Sequence, residues 1–361
     1  MTDTRIHIVH IIPSLFFGGA ERFVVNLVNS SDPKKFRFTI ITFFDLNPLA
    51  QDLKIGDSKV EIIPKHGVIS WSLIQQLKKR LVELQPDVVH THLFGGDVWG
   101  RIAAHDLKIP IVTTEHSFNK REGFFKHFFK WYLKNYSDCY TAPSYALQKF
   151  LKEKKKIQRP VAMIHHGILL EQFKFAPTTF THSPLRLMIL GRLVEEKGHA
   201  VVLRALAHLL SFSWVLEIVG EGVEGKNLEK LVQDLGISNR VIFSGLSKDV
   251  PQKVRESDIV LVPSLEVEGL GMVVLEAMAG GRVVIGSDVG GIAELIEDKK
   301  NGFLTKAGSA EEWVKIMEWC FTHTRSLGEM ANYAQKYAEE HFSSQRMAQE
   351  YEKIYLKLAK K

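Results

Sequence analysis

Two glutamates eight residues apart, Glu268 and Glu276, flank the segment in which the sequence most clearly indicates chemistry. Gly269, Leu270 and Gly271 follow an apolar run typical of a strand and open a helix. Such a turn lets backbone N–H groups approach an anion at the positive end of the helix dipole. Eight helical residues span about 12 Å. We therefore predict a ligand with a polyhydroxy group at Glu268, a diphosphate at the glycines and a ribose at Glu276, although a helix with merely exposed glutamates would fit the segment alone.

Two cations lie in a second segment, residues 191–199, which also follows a predicted strand. Arg192 is expected at the carboxyl end of that strand, and Lys197 just before the next helix. Both side chains could bind one diphosphate by charge-assisted hydrogen bonds. Taken alone, the segment is equally typical of a solvated basic loop. Together with the glycine turn, it predicts a pocket in which backbone donors and mobile cations hold the same anion.

The first half of the chain offers weaker candidates. Gly18 and Gly19 separate the first predicted strand from the first helix, where a tight loop could face the diphosphate, although turn formation explains such pairs equally well. His116 ends a predicted strand, so we expect either a catalytic or sugar-contacting role or a structural one. His90 is predicted to be structural, and the pattern leaves the role of His92 open.

The elements that must position these residues alternate regularly between strand and helix. Short β-branched apolar runs are followed by longer helical patterns, and this alternation restarts after a Pro- and Thr-containing segment near residues 172–184. Alternation of this kind is typical of parallel sheets built from βαβ units. We therefore predict the α/β class, with two doubly wound Rossmann-like domains at residues 1–175 and 176–343. Ligands of such sheets bind at the carboxyl ends of the strands, which predicts a site in the cleft between the domains.

Composition excludes several classes of protein. The chain has 361 residues, 45% of them hydrophobic, and only two cysteines, Cys139 and Cys320, so a disulfide framework and a CxxC metal site are excluded. A reducing, cytoplasmic compartment is expected. The uncharged run 6–20 is short and interrupted by proline and glycine, which favours an opening strand over a signal peptide. The net charge of +6 is concentrated in the first half and predicts an anionic partner there.

A glycine pattern at residues 220–225 formally matches a dinucleotide-binding loop. The acidic ribose ligand expected at the end of the following strand is missing, so we predict no dinucleotide site and no oxidoreductase. The sequence also contains no Asp-x-Asp pair that would hold a divalent cation, and we therefore expect no metal in the site.

Residues 119–135 combine six aromatic residues with several cations. A helical projection places the aromatic residues on one broad face and the cations, Lys130 among them, on the other. This pattern is typical of a helix at an anionic membrane surface. Packing of the aromatic face against its own domain is an equally good explanation.

The segments GGAER, TEH, GRLVEEKG, VGEG and, above all, EGLGMVVLE resemble those of glycosyltransferase family 4, whose members are retaining enzymes of the GT-B fold. The resemblance extends over nearly the whole chain and includes the C-terminal segment. In such enzymes this segment crosses back onto the N-terminal domain, which implies that a helix at residues 344–361 packs there.

The resemblance also implies roles for the candidate residues. Arg192 and Lys197 would hold the donor diphosphate, and Glu276 the nucleotide ribose. Glu268, with the amides of the 269–271 turn, would bind the donor sugar. His116 would approach that sugar from the acceptor domain.

The expected function is a retaining, metal-independent glycosyltransferase of the hexosyltransferase type. It would transfer a sugar from a nucleotide-diphosphate sugar to a glycan or lipid-linked acceptor, without a cofactor, and by frequency within the family we expect a UDP-linked donor. We expect the enzyme in the cytoplasm, with peripheral attachment to the inner face of the membrane through residues 119–135. One alternative is a nucleotide-sugar epimerase on the same fold. Another is a basic nucleic-acid-binding protein, which fits the pI of 9.0 but would need a recognition helix or stacking platform that the sequence does not show.

Overall fold

The computed structural model describes residues 3–54, 56, 58–65, 67, 70–118 and 123–360, and of residues 124–127 the backbone alone. The chain divides into two compact units. The first comprises Met1–Ile168 together with Ser344–Lys361, and the second comprises Leu169–Ser343.

The first unit contains a parallel seven-stranded sheet of order β3-β2-β1-β4-β5-β6-β7. Its strands are β1 (Ile6–Ile11), β2 (Phe36–Thr42), β3 (Lys59–Ile62), β4 (Val88–His92), β5 (Ile111–Thr114), β6 (Cys139–Ala142) and β7 (Val161–Met163). Its first six helices are α1 (Gly19–Ser30), α2 (Trp71–Leu84), α3 (Leu93–Gly95), α4 (Arg101–Asp106), α5 (Phe124–Tyr132) and α6 (Tyr145–Glu153). The apolar run that opens the sequence thus forms a central strand.

Both faces of this sheet are covered, as expected for parallel strands. Alternate residues of β1 point to opposite sides, so Ile8 packs with Phe23 of α1 on one face. Val9 packs with Leu73 of α2 on the other. Helix α2 begins where Ser70 accepts a hydrogen bond from the Leu73 N–H, a standard N-cap.

The second unit repeats the plan with a parallel six-stranded sheet of order β10-β9-β8-β11-β12-β13. Its strands are β8 (Leu185–Leu190), β9 (Trp214–Val219), β10 (Val241–Gly245), β11 (Ile259–Val262), β12 (Val283–Ser287) and β13 (Phe303–Thr305). Its helices are α7 (His199–Ala207), α8 (Gly225–Asp234), α9 (Val250–Glu256), α10 (Met272–Ala279), α11 (Gly290–Leu295), α12 (Ala310–Thr322) and α13 (Thr324–His341). Two doubly wound sheets confirm the predicted α/β class.

The strand order reverses between β1 and β4 in the first sheet and between β8 and β11 in the second. Loops that leave the carboxyl ends of such neighbouring strands run in opposite directions and leave a crevice. The candidate residues of the second unit follow β8 and β11, the two strands at its reversal point.

The chain enters the second unit at Leu169, before the predicted boundary at residue 175. Phe173 is buried, and the guanidinium groups of Arg255 and Arg282 lie 5.5 and 5.9 Å from the centre of the Phe175 ring. These contacts tie the segment to α9 and to the loop before β12, so it belongs to the second unit.

Helix α14 (Ser344–Ala359) belongs to the first unit. It buries Met347, Tyr351 and Tyr355 in the same core as Ile8 and Phe23. Among the residues that the structure describes, no helix has the length and apolar character needed to cross a membrane.

Candidate functional site

A pocket in the second unit lies at the carboxyl ends of β8 and β11. It encloses about 330 Å³, in part open to solvent. Its lining includes the polar or glycine residues Lys197, His199, Ser264, Glu268 and Gly271. The loop after β8 and the turn before α10, which the sequence predicts to cooperate, therefore contribute to one pocket.

Lys197 and Glu268 form an ion pair in this pocket. The Lys197 Nζ donates to Glu268 Oε1 at 2.7 Å, and both side chains are mostly buried. The Ser264 hydroxyl donates to the same carboxylate oxygen. Glu268 thus neutralises Lys197, and an anionic ligand would compete with Glu268 for the ammonium group. The arrangement can hold an anion beside a hydrogen-bond acceptor for hydroxyl groups.

Gly198 fixes the position of the Lys197 loop. Its φ is +68°, in the left-handed region that favours glycine, and an added Cβ would collide with the carbonyl oxygen of Pro263. The loop is held further by the Leu265 N–H, which donates to the Glu196 carbonyl at 2.8 Å. These contacts seat Lys197 against the segment that carries Glu268.

Arg192 does not line the pocket. Its side chain is 70% exposed, and its guanidinium donates to Glu196 Oε1 at 2.9 Å. The backbone of its loop is nevertheless fixed, because the neighbouring Leu193 N–H donates to the Glu221 carbonyl at 2.9 Å. A role of Arg192 in binding a diphosphate therefore stays a prediction.

The turn before α10 has the conformation expected of an anion-binding helix start. Gly271 has a φ of +101° and precedes the first residue of α10, while Gly269 and Leu270 are buried. The first N–H groups of a helix have no partner within it, and its dipole adds positive charge at the same end. The turn can therefore supply backbone donors to the pocket.

Glu276 lies in the second turn of α10 and is partly buried, outside the lining of this pocket. Its predicted contact with a ribose stays a prediction.

Two glycines that sequence analysis missed support the 269–271 turn. An added Cβ on Gly290 or Gly291, at the start of α11, would collide with the backbone of Glu268 or Leu270. The Gly291 N–H also donates to the Glu268 carbonyl at 3.0 Å. A Gly-Gly pair between a strand and the next helix, the same pattern as Gly18 and Gly19, was the available signal.

The dinucleotide-like glycines at residues 220–225 serve packing. An added Cβ on Gly220 would collide with the Gly191 carbonyl, and one on Gly222 with the Leu193 carbonyl. These glycines therefore admit the close approach of the loop that carries Arg192 and Lys197.

In the first unit, Gly18 and Gly19 form the exposed start of α1. The Glu21 carboxylate lies against Gly18, where an added Cβ would meet it, and burial raises the pKa of Glu21. Part of this helix start is therefore occupied by a side chain of the same helix. A contact of the two glycines with a diphosphate stays a prediction.

His116 follows β5 and is partly exposed. Its Nε2 lies 3.2 Å from His92 Nδ1, and His92 Nε2 lies 2.9 Å from His10 Nδ1. Burial lowers the pKa of His116 to about 4 and that of His10 to about 3, so both rings are neutral at pH 7. His92, left open by the sequence, thus connects the candidate residue to the core.

His90 is held by hydroxyl groups. Its Nδ1 is hydrogen-bonded to Tyr355 at 2.7 Å and its Nε2 to Thr114 at 2.7 Å. Among the described residues, His10, His90 and His92 could offer ring nitrogens within 4.8 Å of one another to a metal ion. Both nitrogens of His90 and of His92 are already hydrogen-bonded, so a metal ion would have to break these contacts. The arrangement fits a hydrogen-bonded network better than a coordination site.

Helix α5 exposes three aromatic side chains, Phe128, Trp131 and Tyr132, which are 47, 59 and 56% exposed. We call this set the aromatic patch. Phe129 instead packs inward, near Trp99. Lys130, which the helical projection places on the cationic face, is paired within the protein, because its Nζ donates to the buried Glu115 at 3.1 Å. Residues 119–122 and the side chains of residues 124–127 lie outside the described part.

Comparison with known proteins supports one family along most of the chain. Residues 17–172 match the family described as Glycosyltransferase Family 4, and residues 171–341 match Glycosyl transferases group 1. An uncharacterized glycosyltransferase of Haemophilus influenzae is 26% identical over 90% of this chain and 92% of its own length. The UDP-Gal:alpha-D-GlcNAc-diphosphoundecaprenol alpha-1,3-galactosyltransferase of Escherichia coli is 27% identical over 68% of this chain and 70% of its own.

Solved structures share the fold. Anabaena HepE in complex with UDP and glucose superposes with a TM-score of 0.84 at 23% identity, over 96% of this chain and 98% of that one. The lipopolysaccharide outer core galactosyltransferase WaaB superposes with a TM-score of 0.74 at 20% identity, over 98% of this chain and 100% of that one. With its two parallel sheets and the match to both family descriptions, the chain belongs to glycosyltransferase family 4 and has the GT-B fold.

Proposed function

We propose that this glycosyltransferase transfers a hexosyl group from a UDP-sugar to a hydroxyl group of a glycan or lipid-linked acceptor, with retention of anomeric configuration and without a metal ion. The observation that carries the proposal is the shared pocket of Lys197, Glu268 and the Gly271 turn. It offers a cation and backbone donors for a diphosphate next to a carboxylate for sugar hydroxyls. Relatives named as galactosyltransferases and a HepE structure that holds UDP and glucose support the donor class.

In the proposed reaction, the bond between the anomeric carbon and the diphosphate oxygen breaks first, and both electrons leave with the phosphate. Lys197 and the N-terminus of α10 stabilise the developing negative charge. Arg192 contributes to this stabilisation if its exposed side chain rotates towards the pocket. The acceptor oxygen then bonds to the anomeric carbon on the face from which the diphosphate departs. Its proton passes to a phosphate oxygen, so the step needs no side-chain base.

Glu268 has a second task in this scheme. When the diphosphate takes over Lys197, the carboxylate loses its cationic partner and keeps the Ser264 hydroxyl. Its free lone pairs can then accept hydrogen bonds from sugar hydroxyls, which a carboxylate does strongly. Donor binding would thus replace the Lys197–Glu268 ion pair by a contact of Lys197 with the diphosphate and a contact of Glu268 with the sugar.

The test is binding and product analysis with purified full-length chain. Thermal unfolding is measured against UDP, GDP, ADP and dTDP and their hexose conjugates, since a ligand at 100 times its Kd adds about 2.7 kcal/mol of stability. We expect stabilisation by UDP and a UDP-hexose, an α-linked product from an α-linked donor, and an unchanged rate in EDTA. A β-linked product, or activity that EDTA abolishes, would refute retention or metal independence, respectively. Isomerisation of the donor sugar without acceptor would favour the epimerase alternative.

We also propose that the enzyme works in the cytoplasm, on the inner face of the membrane, where the aromatic patch of α5 inserts into an anionic bilayer surface. Three neighbouring exposed aromatic rings are more than a monomeric protein usually leaves in water on one helix. The first half of the chain carries the excess of positive charge, which favours anionic headgroups. Attachment of this kind would bring the enzyme to a lipid-linked acceptor.

A further inference from the structure

Two hydrogen bonds join three imidazole rings of the first unit into a chain that ends at His116. His10 Nδ1 lies 2.9 Å from His92 Nε2, and His92 Nδ1 lies 3.2 Å from His116 Nε2. The middle ring is thus engaged at both of its nitrogens. His10 lies in β1, His92 at the end of β4 and His116 just after β5, so the chain runs across three neighbouring strands.

The rings are neutral, and neutrality couples their tautomers. Burial lowers the pKa of His92 well below its usual value, as it does for His10 and His116. A neutral imidazole carries one N–H and one bare nitrogen. If His92 accepts at one nitrogen, it must donate at the other. Both hydrogen bonds therefore point the same way, either from His10 towards His116 or in reverse.

The two ends of the chain differ in their surroundings. His10 Nε2 and His116 Nδ1 are both buried, and neither has a hydrogen-bond partner within the described ranges. His10 has no exposed surface and stacks on Phe38 at 5.7 Å between ring centres, so water or a ligand cannot reach it. His116 as a residue is partly exposed and lies at the carboxyl edge of the sheet, where ligands of parallel sheets bind.

An N–H group sealed in a core without an acceptor is rarer in proteins than an unpaired acceptor. The bare nitrogen therefore belongs at His10 Nε2, and the hydrogen at His116 Nδ1. In this direction His10 donates to His92, and His92 donates to His116. An unpaired N–H then remains at His116, the end of the chain whose residue is partly exposed.

We propose that His10 and His92 are positioning residues that hold His116 as its Nδ1–H tautomer, so that His116 donates a hydrogen bond to a ligand oxygen. His116 then has no free lone pair, because its Nε2 already accepts from His92, and it does not serve as a general base. That the ligand oxygen belongs to a sugar hydroxyl or a phosphate of the donor rests on the proposed function. The tautomer itself does not.

The direct test is NMR of the ligand-free full chain labelled with ¹⁵N at histidine, in which protonated and bare ring nitrogens give separate signals. His116→Gln identifies the signals of His116. We expect a protonated Nδ1 and a bare Nε2 at His116, with the same tautomer at His92 and His10, at pH 7. A protonated Nε2 at His116, or an equal mixture of both tautomers, would overturn the proposal, and His116→Gln has only to fold well enough for its missing signals to be recognised.

Two substitutions at His10 test whether that residue sets the direction. Gln can donate from its amide to His92 Nε2, whereas the Met thioether can only accept, and weakly. We expect His10→Gln to keep the hydrogen on Nδ1 of His116 and His10→Met to shift it to Nε2. Thermal unfolding of both variants reports their folding. An identical His116 tautomer in folded His10→Gln and His10→Met would overturn the positioning role of His10.

Activity provides the second readout. His10→Met should lower kcat/KM about five- to tenfold, as expected for one lost hydrogen bond, while His10→Gln stays near the unsubstituted enzyme. A drop of the same size in both variants would indicate a structural effect and contradict the proposal. Failure of the chain to bind any nucleotide sugar would refute the proposed function instead, and would leave the NMR result standing.

Discussion

At the scale of single residues, the charge of the pocket depends on Lys197. We expect Lys197→Ala to lower kcat by about 10²–10³, the usual effect of removing one preorganised group that stabilises a leaving-group charge. Initial rates at saturating donor measure this. Lys315→Ala is the matched control, since Lys315 forms a solvent-exposed ion pair with Glu311 on α12 of the same unit and should leave kcat unchanged. A loss below about threefold at Lys197 would contradict a role in charge stabilisation.

The support of the 269–271 turn can be tested at Gly291. A Cβ there would collide with Leu270, so Gly291→Ala must displace the turn. We expect the KM for the donor to rise about tenfold or more, which corresponds to the loss of one or two well-placed hydrogen bonds. Gly328→Ala is the control, because a Cβ at Gly328 meets nothing within 4 Å and alanine favours the α13 helix. Unchanged donor affinity in folded Gly291→Ala would show that the turn does not bind the donor.

Sequence reasoning reached Lys197 and Glu268 because both follow strands, and the carboxyl ends of neighbouring parallel strands meet at one edge. It did not assign a role to Gly291. The importance of this glycine depends on a close backbone contact with Leu270, which lies in a different loop of the sequence. Nor could it find the partner of Lys130, since a helical projection does not show that the buried carboxylate of Glu115, just after β5, lies within reach of its side chain.

At the scale of elements, α14 secures the histidine network of the first unit. Tyr355 is fully buried and hydrogen-bonded to His90 at 2.7 Å. Tyr355→Phe would leave His90 Nδ1 buried without this partner, and we expect a loss of about 1–3 kcal/mol in the free energy of unfolding. Urea titration measures it. Tyr333→Phe, which removes an exposed hydrogen bond to Glu297, should change stability by less than about 0.5 kcal/mol. Equal effects of the two variants would argue against this role of α14.

Helix α5 provides a second prediction at this scale. The unsubstituted chain should sediment with liposomes that contain anionic lipid and stay in solution with neutral ones. Replacing Phe128 and Trp131 together by Asp should abolish sedimentation, because buried carboxylates oppose insertion and repel anionic headgroups. Tyr333→Asp changes an exposed aromatic residue of the other unit and should have no effect. Binding that ignores lipid charge, or that survives the double substitution, would refute attachment through the aromatic patch.

At the scale of the whole molecule, buried neutral histidines make stability depend on pH. Burial lowers the pKa of His10 to about 3 and those of His116 and His199 to about 4, and it also lowers those of His90, His92 and His166. The unfolded chain binds these protons at pH values near 6.5, where the folded chain does not. Stability is therefore complete above about pH 6.5 and is lost as the pH falls towards 4.

Each of these histidines contributes up to about 1.4 kcal/mol per pH unit within that window. Asp97 and Glu21 act in the opposite direction, because burial raises the pKa of Asp97 to about 7 and also raises that of Glu21, but they are two groups against the six histidines named above. We expect the urea midpoint to fall clearly between pH 7 and pH 5. A constant or rising midpoint would contradict neutral, buried histidines in the folded state.

The alternation of strands and helices made both sheets predictable, since each βαβ unit is local in sequence. The exact division of the molecule was not, because the place of Phe175 depends on Arg255 and Arg282, which lie far along the chain. The shape of the pocket could not be predicted for the same reason, because it depends on how loops that follow separate strands pack together.

The membership of α14 in the first unit has a consequence for synthesis on the ribosome. The sixteen residues of α14 are translated only after the entire second unit, yet they cover apolar surface of the first sheet. Until they emerge from the exit tunnel, the nascent first unit presents that surface uncovered. The part of the enzyme that is made first is therefore completed only after α14 has been made.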